Sequence, residues 1–211
     1  MLINKIYKKI LLFLFPKKCI GCGLSDFWIC EKCIKNLPKI YSTPEDFIHP
    51  IFNYRDKNVK KIIWFLKFNK KHSVLEDLEN EIIKEFDFFL EKNKIKKNDF
   101  VLIPIPITKR SLNKRGYNQS EFIAKTLNQD LVNSNILYKK TNHISQNKIK
   151  NKNERKNNIK NSFEVKNKNK IKNKVLILID DVTTTGATIL EARKILKNAG
   201  AKKVYGFTLA H

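Results

Sequence analysis

The sequence predicts an α/β protein with a parallel sheet, and the C-terminal part of the chain carries this prediction. A strand, a helix and a second strand follow one another there, over about 174–180, 186–199 and 203–210, and Gly200 is expected to end the helix. Strands that alternate with helices are typical of parallel sheets whose faces are covered by the helices.

A small cysteine-rich module is expected ahead of this domain. All four cysteines lie within residues 17–38, and the proline-containing stretch Leu37–Pro50 follows them as a linker. We therefore divide the chain into an N-terminal helix and cysteine module (1–45) and a larger domain (46–211).

Hydrophobic periodicity predicts the elements in the first half of the larger domain. Apolar residues recur at helical spacing in three segments, and one apolar run is expected to be a strand that ends before a proline-containing loop. The helices are predicted over about 56–68, 73–92 and 118–131, and the strand begins at Phe100. From Tyr138 to Lys174 lysine and asparagine dominate, so residues 139–173 are interpreted as a disordered insert or as a mobile loop or hood over a site.

The composition limits the function classes without selecting one. The formal net charge of +23 favours nucleic acid or phosphate partners, but it comes mostly from lysine in a chain rich in Asn and Ile, so coding bias is an alternative. Residues Met1–Phe15 have a basic and apolar pattern that is too short to span a bilayer and lacks a cleavage site. We expect an amphipathic helix there, no membrane span and a cytoplasmic location.

The four cysteines form two CxxC pairs, Cys19 with Cys22 and Cys30 with Cys33. Each pair can turn two thiolates toward one ion, and four thiolates complete a tetrahedral zinc shell that leaves no open position for catalysis. Two disulfides, an iron–sulfur cluster and a redox CxxC are the alternatives. Structural Zn²⁺ is the preferred interpretation.

The segment Val175–Thr188 has the strongest functional pattern. An apolar strand ends at two acids, Asp180 and Asp181, and a hydroxyl-rich turn with one glycine leads into a helix. Free N–H groups at the helix start can bind a phosphate, and the acids, expected at a solvent-facing strand end, can bind a ribose diol or Mg²⁺ through water. The alternative is that the acids only stabilise a helix N-terminus.

This segment closely resembles the phosphoribosyl diphosphate (PRPP) motif of type I phosphoribosyltransferases. The resemblance implies that Asp180 and Asp181 hold the ribose hydroxyls and that the following turn wraps the 5′-phosphate. The implied phosphate-binding residues are Thr183, Thr184, Thr185, Gly186, Ala187 and Thr188.

A basic loop follows the proline pair at Pro104 and Pro106. Donors spaced along it suit a diphosphate, and the candidates are Thr108, Lys109, Arg110 and Arg115. A solvated basic face is the alternative in so basic a protein.

The order of the motifs is similar to that of the ComF family, phosphoribosyltransferase-like proteins linked to DNA uptake in competent bacteria. The four-cysteine module, the segment Ile62–Phe68, the block from Pro104 to Gln119 and the PRPP motif occur in this order. The set Thr141, Gln146, Arg155, Asn158 and Phe163 also fits a family block, with a longer spacing between the first two. The resemblance implies a type I phosphoribosyltransferase fold with an N-terminal double zinc ribbon, Mg²⁺ bound with PRPP, and single-stranded DNA and competence proteins as partners.

An enzyme of this kind would transfer a phosphoribosyl group from PRPP, with Asp181 and Asp180 anchoring the ribose and Asp181 the nearer candidate base. The rival is a binding module that retains the site as a nucleotide sensor or acts as a single-stranded DNA adaptor, and a nucleobase-salvage transferase is a further alternative. An ATP-driven translocase is disfavoured because the sequence has no G-x-x-x-x-G-K-[ST] loop.

Overall fold

The computed structural model describes residues 17–40, 43, 45–68, 73–140 and 162–211. In these ranges the strands are β1 (Ile48–Phe52), β2 (Phe100–Pro104), β3 (Leu137–Lys139), β4 (Phe163–Val165), β5 (Val175–Val182) and β6 (Lys203–Ala210). The α-helices are α1 (Glu31–Lys35), α2 (Lys57–Phe68), α3 (Ser73–Lys92), α4 (Lys109–Arg115), α5 (Gln119–Asn128) and α6 (Ala187–Asn198). Short 3-10 turns cover Gln129–Leu131 and Lys168–Lys170. The N-terminal helix expected at Met1–Phe15 lies outside the described residues.

A four-stranded parallel sheet in the order β1-β6-β5-β2 forms the centre of the protein. Alternate residues of the central strand β5 pack on opposite faces, as the period of two requires. Ile177 and Ile179 join the core formed with α2, α3 and α5, whereas Leu176 and Leu178 join the core formed with α6 and β4. The predicted α/β class with a parallel sheet is confirmed.

The first strand, β1, was not predicted from the sequence because it contains a proline and was assigned to the linker. Pro50 lacks an N–H group, and a strand can tolerate this loss when one of its sides is free of a neighbour. β1 is an edge strand of the sheet: β6 is its only partner among the named strands, and its other side has an isolated bridge between Phe52 and Lys39. Pro104 is likewise tolerated, at the end of the opposite edge strand β2.

The basic segment after β2 is a helix rather than the expected loop. Thr108 caps α4 by accepting a hydrogen bond of 3.1 Å from the Ser111 N–H. Gly116 ends α4 in the left-handed conformation, with φ at 81° and its N–H bonded to the Leu112 carbonyl. A threonine before the helix and a glycine after it are standard end signals, and the sequence interpretation missed both.

The Lys/Asn-rich region contains more structure than predicted. β3 and β4 pair antiparallel, with Tyr138 opposite Glu164, and they bring the two ends of the 141–161 segment together. Phe163 is buried in the core beside α6. The interpretation of 139–173 as one insert or loop is therefore wrong at its two ends, while 141–161 and the family-block residues within it lie outside the described part of the chain.

The cysteine module is fixed to α3. Asp77 accepts hydrogen bonds from the backbone N–H groups of Trp28 and Ile29, at 2.6 and 3.2 Å, and the Trp28 indole donates to Ser73. Ile29 is fully buried in the same core as α2 and α3. No helix among the described residues is long and apolar enough to cross a membrane.

Candidate functional site

The two acids lie at the carboxyl end of β5, the edge of a parallel sheet where ligands bind in α/β folds. Their partners come from two helices, since Asp180 is hydrogen-bonded to Ser120 at the start of α5 and Asp181 is paired with Lys67 near the end of α2. The side chain of Asp181 is only 4% exposed, so the expectation that both acids face solvent is wrong for Asp181. The reason is tertiary, because Lys67 of α2, which is distant in the sequence, lies against this acid.

Asp181 is paired with a lysine from α2. The Lys67 ammonium lies 2.9 Å from Asp181 Oδ2, while Asp181 Oδ1 accepts a hydrogen bond from the Val182 N–H. The ammonium approaches outside hydrogen-bond geometry, so the buried Oδ2 has no hydrogen-bond donor among the described residues. One carboxylate oxygen of the acid pair is therefore charge-balanced but still able to accept a hydrogen bond.

Asp180 titrates close to neutral pH. Burial raises its pKa to about 7, and the charge of Asp181 adds to the increase. Hydrogen bonds from the Asp181 N–H and the Ser120 hydroxyl, at 2.9 and 3.0 Å, and the charge of Lys67 oppose it. A carboxylate with this pKa can accept a proton from a substrate at physiological pH.

The turn from Thr183 to Thr188 leads from β5 into α6. Thr183 is buried, and its N–H donates to the Ala210 carbonyl, which fixes the start of the turn to β6. Thr184 and Thr185 are exposed, whereas Gly186 is buried with φ at 67°. The helix start has no side-chain cap, so its first N–H groups remain open to an anion.

A carboxylate of the chain itself lies beside this turn. A β-carbon added at Gly186 would come within 3.2 to 3.4 Å of the carboxylate atoms of Glu45. Glycine is thus required there by both the backbone conformation and the close approach of Glu45. Any anion bound at the start of α6 would meet this acid as a neighbour.

The candidate diphosphate residues are distributed along α4. Thr108, Lys109 and Arg110 are exposed at its start. Arg115 donates to Gln119 at 2.9 Å and lies 5.5 Å from the centre of the Phe68 ring. Within the described residues, none of the four predicted diphosphate residues forms an ion pair or hydrogen bond with Asp180 or Asp181.

Two lysines of the site were missed by sequence reasoning. Lys67 lies in the Ile62–Phe68 segment noted for its family resemblance, but its own role had no separate signal. Lys139 lies in β3, where burial lowers its pKa and the charge of Asp180 partly offsets that effect. The acid pair therefore has a lysine near each member, and only the tertiary structure brings them there.

The acid pair fits Mg²⁺ only as an ion carried by a ligand. Mg²⁺ takes octahedral oxygen ligands and commonly combines one or two carboxylates with water and substrate phosphates. Here Lys67 already neutralises Asp181 Oδ2, and Asp180 Oδ1 already accepts two hydrogen bonds. The acid pair is therefore not a complete Mg²⁺ site by itself, and a bound diphosphate and water would have to supply most of the oxygen ligands of the ion.

The four cysteines come together as the spacing predicted. Their sulfurs lie within 4.8 Å of one another, with 3.8 Å from Cys19 to Cys30 and 3.6 Å from Cys22 to Cys30. A tetrahedron with Zn–S bonds of about 2.3 Å has edges of about 3.8 Å, whereas a disulfide is about 2 Å long. The cluster of free thiols therefore has the dimensions of a zinc site.

The backbone around the cluster supports thiolate charge. Burial raises the pKa of Cys19, but N–H groups of Cys30, Cys22 and Gly21 outweigh burial and lower the pKa to about 6. The pKa of Cys33 rises to about 12 through burial and then through its thiol neighbours. A β-carbon on Gly21 would lie 2.7 Å from Cys33 Sγ, so only glycine lets the first turn close around the cluster.

The part of the chain that contains this site is similar to known proteins. Residues 113–210 match the phosphoribosyl transferase domain, a stretch that begins in α4 and includes the acid pair and the α6 turn. Competence protein ComFC of Streptococcus pneumoniae is 34% identical over 126 residues, which are 60% of this chain and 54% of that protein. Over this part of its sequence the chain is similar to the ComF competence proteins.

Two further ComF relatives show the same partial coverage. Competence protein F of Haemophilus influenzae is 31% identical over 112 residues, covering 52% of this chain and 49% of that protein. ComFC of Bacillus subtilis is 38% identical over 111 residues, which cover 52% of this chain and 44% of that protein. The chain thus spans about half the length of the curated relatives it matches.

Proposed function

We propose that this ComF relative binds PRPP or a related phosphoribosyl ligand at the carboxyl end of β5, with Mg²⁺, and acts in the uptake and processing of DNA. The observation that carries the proposal is the acid pair of Asp180 and Asp181 followed directly by the uncapped start of α6, within the matched phosphoribosyl transferase domain. This arrangement offers hydroxyl acceptors and a phosphate-binding turn in neighbouring positions of the chain.

The transfer reaction would break the bond from the anomeric carbon of PRPP to the diphosphate and form a bond from that carbon to a nucleophilic acceptor. Asp180 and Asp181 would hold the ribose hydroxyls while positive charge develops on the sugar. Asp181 was the first candidate base from sequence, but the pKa of about 7 makes Asp180 the better proton acceptor. Bound Mg²⁺ would neutralise the departing diphosphate.

The diphosphate is assigned to the start of α4. Lys109 and Arg110 are exposed and make no ion pair among the described residues, so their donors are available to a ligand. Thr108 is exposed as well, but its hydroxyl donates to Ser111 and would have to turn away to bind a ligand. Arg115 is held against Phe68 and Gln119, so it would help to shape the binding site and would not bind the diphosphate itself. The turn from Thr183 to Thr188 would receive the 5′-phosphate, and an incoming phosphate would displace the neighbouring Glu45 carboxylate.

The decisive experiment is calorimetric titration of PRPP and Mg²⁺ into the wild type and into the Asp180→Asn/Asp181→Asn variant. We expect the double variant to lose binding, because both hydroxyl acceptors lose their charge. Glu91→Gln/Asp99→Asn is the matched control, since it removes the same charge from one exposed acid in the last turn of α3 and one exposed acid after this helix. Unchanged affinity in a folded Asp180/Asp181 variant would refute the ligand assignment.

Catalysis has its own readout. Incubation with PRPP, Mg²⁺ and a set of nucleobases and nucleotides should release diphosphate in the wild type and not in the acid-pair variant. Binding without diphosphate release would favour the non-catalytic nucleotide sensor. Release with a free base, together with normal DNA uptake in a deletion strain, would favour a nucleobase-salvage transferase.

A single-stranded DNA adaptor is the second candidate, and one surface favours it. Trp64 and Phe68 on α2 are each 49% exposed, and their rings lie 6.3 Å apart. Lys114 and Arg115 lie 5.8 and 5.5 Å from the Phe68 ring centre. Exposed aromatic rings beside cations are the usual means of stacking unpaired bases while neutralising their phosphates.

The cysteine cluster is assigned to structural Zn²⁺. Four thiolates would fill the tetrahedral shell, so the ion would hold the module together and take no part in the transfer reaction. Because the module contacts α3 through Trp28 and Ile29, loss of the ion would also loosen that contact. A cytoplasmic location, where disulfides are rare, agrees with this assignment and remains part of the proposal.

A further inference from the structure

The ion pair between Lys67 and Asp181 joins two parts of the chain that the sequence keeps far apart. Lys67 is near the end of α2, outside the matched domain of residues 113–210, and its ammonium lies 2.9 Å from Asp181 Oδ2. We propose that Lys67 is a positioning residue of the phosphoribosyl site: it supplies the positive charge that holds the acid pair ready for the ribose, so that Mg²⁺ is needed only at the diphosphate. This inference rests on the proposed function.

The position of Lys67 is fixed by its helix. Leu66, the preceding residue, is 1% exposed in the core, and its carbonyl accepts a hydrogen bond from the Tyr117 hydroxyl. Phe68, the following residue, packs beside Lys114 and Arg115. The last turn of α2 is therefore attached to the site on both sides of Lys67, which limits the freedom of its side chain.

Stability alone does not require this pair. α2 is already attached to the core by Val59, Ile62, Ile63 and Leu66, each 1% or 2% exposed. The side chains of Lys67 and Asp181 are 23% and 4% exposed, and a pair this buried contributes little net stability because desolvation offsets the attraction. The pair is better explained by what it does to the carboxylate than by attachment of the helix.

The geometry leaves Asp181 able to work. Lys67 balances the charge of Oδ2 but does not donate a hydrogen bond to it, so this buried oxygen keeps its capacity to accept one. A ribose hydroxyl is a donor of the required kind. Without Lys67, two adjacent acids would share one buried strand end with no cation beside Asp181, and a divalent metal would be attracted to them instead.

This assignment makes a specific prediction about metal dependence. Ribose 5-phosphate, which lacks the diphosphate, should bind the wild type with affinities in EDTA and in Mg²⁺ that agree within about threefold. PRPP should require Mg²⁺. In Lys67→Met, ribose 5-phosphate binding in EDTA should weaken by about tenfold or more, and Mg²⁺ should restore part of it.

Calorimetric titration of both probes into four variants tests the inference. Lys67→Arg should behave as the wild type, because it keeps the charge. Lys61→Met is the matched control, since it removes one charge from an exposed position of the same helix, and it should change nothing. In Lys67→Met/Asp181→Asn, the Mg²⁺ effect on ribose 5-phosphate should disappear because the attracting carboxylate is gone. This neutral pair also serves if Lys67→Met alone does not fold.

The outcomes separate the two proposals. If the Asp180→Asn/Asp181→Asn variant binds both probes normally, the proposed function itself is wrong. If that variant fails to bind but Lys67→Met matches Lys61→Met, only the role of Lys67 is wrong. If Lys67→Met loses the same affinity for ribose 5-phosphate in EDTA and in Mg²⁺, the inference is also overturned. A contact that only holds the structure together would weaken binding equally under both conditions.

Discussion

The Ser120 hydroxyl donates a hydrogen bond of 3.0 Å to Asp180 Oδ1 and so connects the start of α5 to the end of β5. Ser120 is fully buried, and its own N–H is bound by the Asn118 side chain that caps the helix. This hydrogen bond lowers the pKa of a carboxyl group that burial has raised to about 7. The first complete helix of the matched domain thus lowers the pKa of one of the two acids.

Removing that hydrogen bond should shift the titration of Asp180. In Ser120→Ala the carboxylate loses a donor, so its pKa should rise above about 7 and phosphoribosyl affinity at neutral pH should fall. Carbon-detected NMR titration of the carboxyl group measures the shift. Ser111→Ala, in α4, is the control with the same loss of a hydroxyl, and an unchanged Asp180 titration in Ser120→Ala would contradict the prediction.

The raised pKa of Asp180 also predicts how stability depends on pH. The folded-state value of about 7 lies above the unfolded value of about 3.9, so the folded state binds more protons between these values. This contribution to stability is fully present below about pH 4 and is lost as pH rises through about 7, by at most about 4 kcal/mol.

Asp180→Asn should therefore be more stable than the wild type at pH 8 and nearly equal to it near pH 4, close to the unfolded pKa. Urea unfolding at the two pH values measures the difference, and Asp99→Asn, an exposed acid, is the control. The gain in stability of Asp180→Asn should be accompanied by a loss of ligand binding, as often occurs when a residue that is needed for function is replaced by a more stabilising one. Equal pH slopes for the wild type and Asp180→Asn would count against the assigned pKa.

Zinc content should depend on one glycine of the cysteine module. A methyl group at Gly21 would lie 2.7 Å from Cys33 Sγ, so Gly21→Ala should displace this ligand and lower zinc retention against a chelator. Gly23→Ala is the control, because it meets open space and costs only backbone strain of about 1 kcal/mol at its φ of 80°. Wild-type protein should carry about one zinc per chain by elemental analysis. Disulfides, or a folded module without metal, would disprove the zinc assignment.

Attachment of the cysteine module should depend on Asp77. Its carboxylate accepts hydrogen bonds from the backbone N–H groups of Trp28 and Ile29, so Asp77→Ala should leave these two donors without an acceptor and cost about 1–3 kcal/mol of stability. Hydrogen exchange of these two amides should accelerate. Asp87→Ala, which removes only a pair with Lys97 on the surface, is expected to have little effect.

The adaptor proposal predicts that DNA binding depends on ring stacking as well as on charge. Trp64→Ala/Phe68→Ala should weaken binding of a single-stranded oligonucleotide by about tenfold, since stacking is worth about 1–3 kcal/mol per base. Leu24→Ala/Phe27→Ala, also exposed and apolar, is the control. Fluorescence anisotropy at several salt concentrations measures the contribution of ring stacking and the contribution of charge to the binding affinity. If the affinity falls with rising salt but does not change when the two rings are removed, non-specific charge is the explanation for DNA binding.

In the cell, deletion of the gene in a competent host should reduce transformation and leave growth on rich medium unchanged. The Asp180→Asn/Asp181→Asn variant should fail to restore transformation if the nucleotide site matters, although it retains every positive charge. Restoration by this variant would instead favour the surface of Trp64 and Phe68. Normal transformation in the deletion strain would remove the uptake role.

The sequence by itself determined the elements that local patterns specify. The buried strand β5, the helices α2, α3 and α6, and the pairing of four cysteines follow from periodicity and spacing, which are properties of short segments. The acid pair and its turn were identified in the same way, because strand, acids and turn are contiguous. Their assignment to a phosphoribosyl ligand remains a prediction.

Only the tertiary structure decided what surrounds those acids. β1 was missed because Pro50 argues against a strand until its place at the sheet edge is known. Lys67 and Lys139 reach the acid pair from helix and strand positions far away in the chain, and many other lysines carry the same local signal. Burial of Asp181 and the pKa of Asp180 likewise depend on which helices cover the strand end, since desolvation is a property of the assembled core and not of a segment.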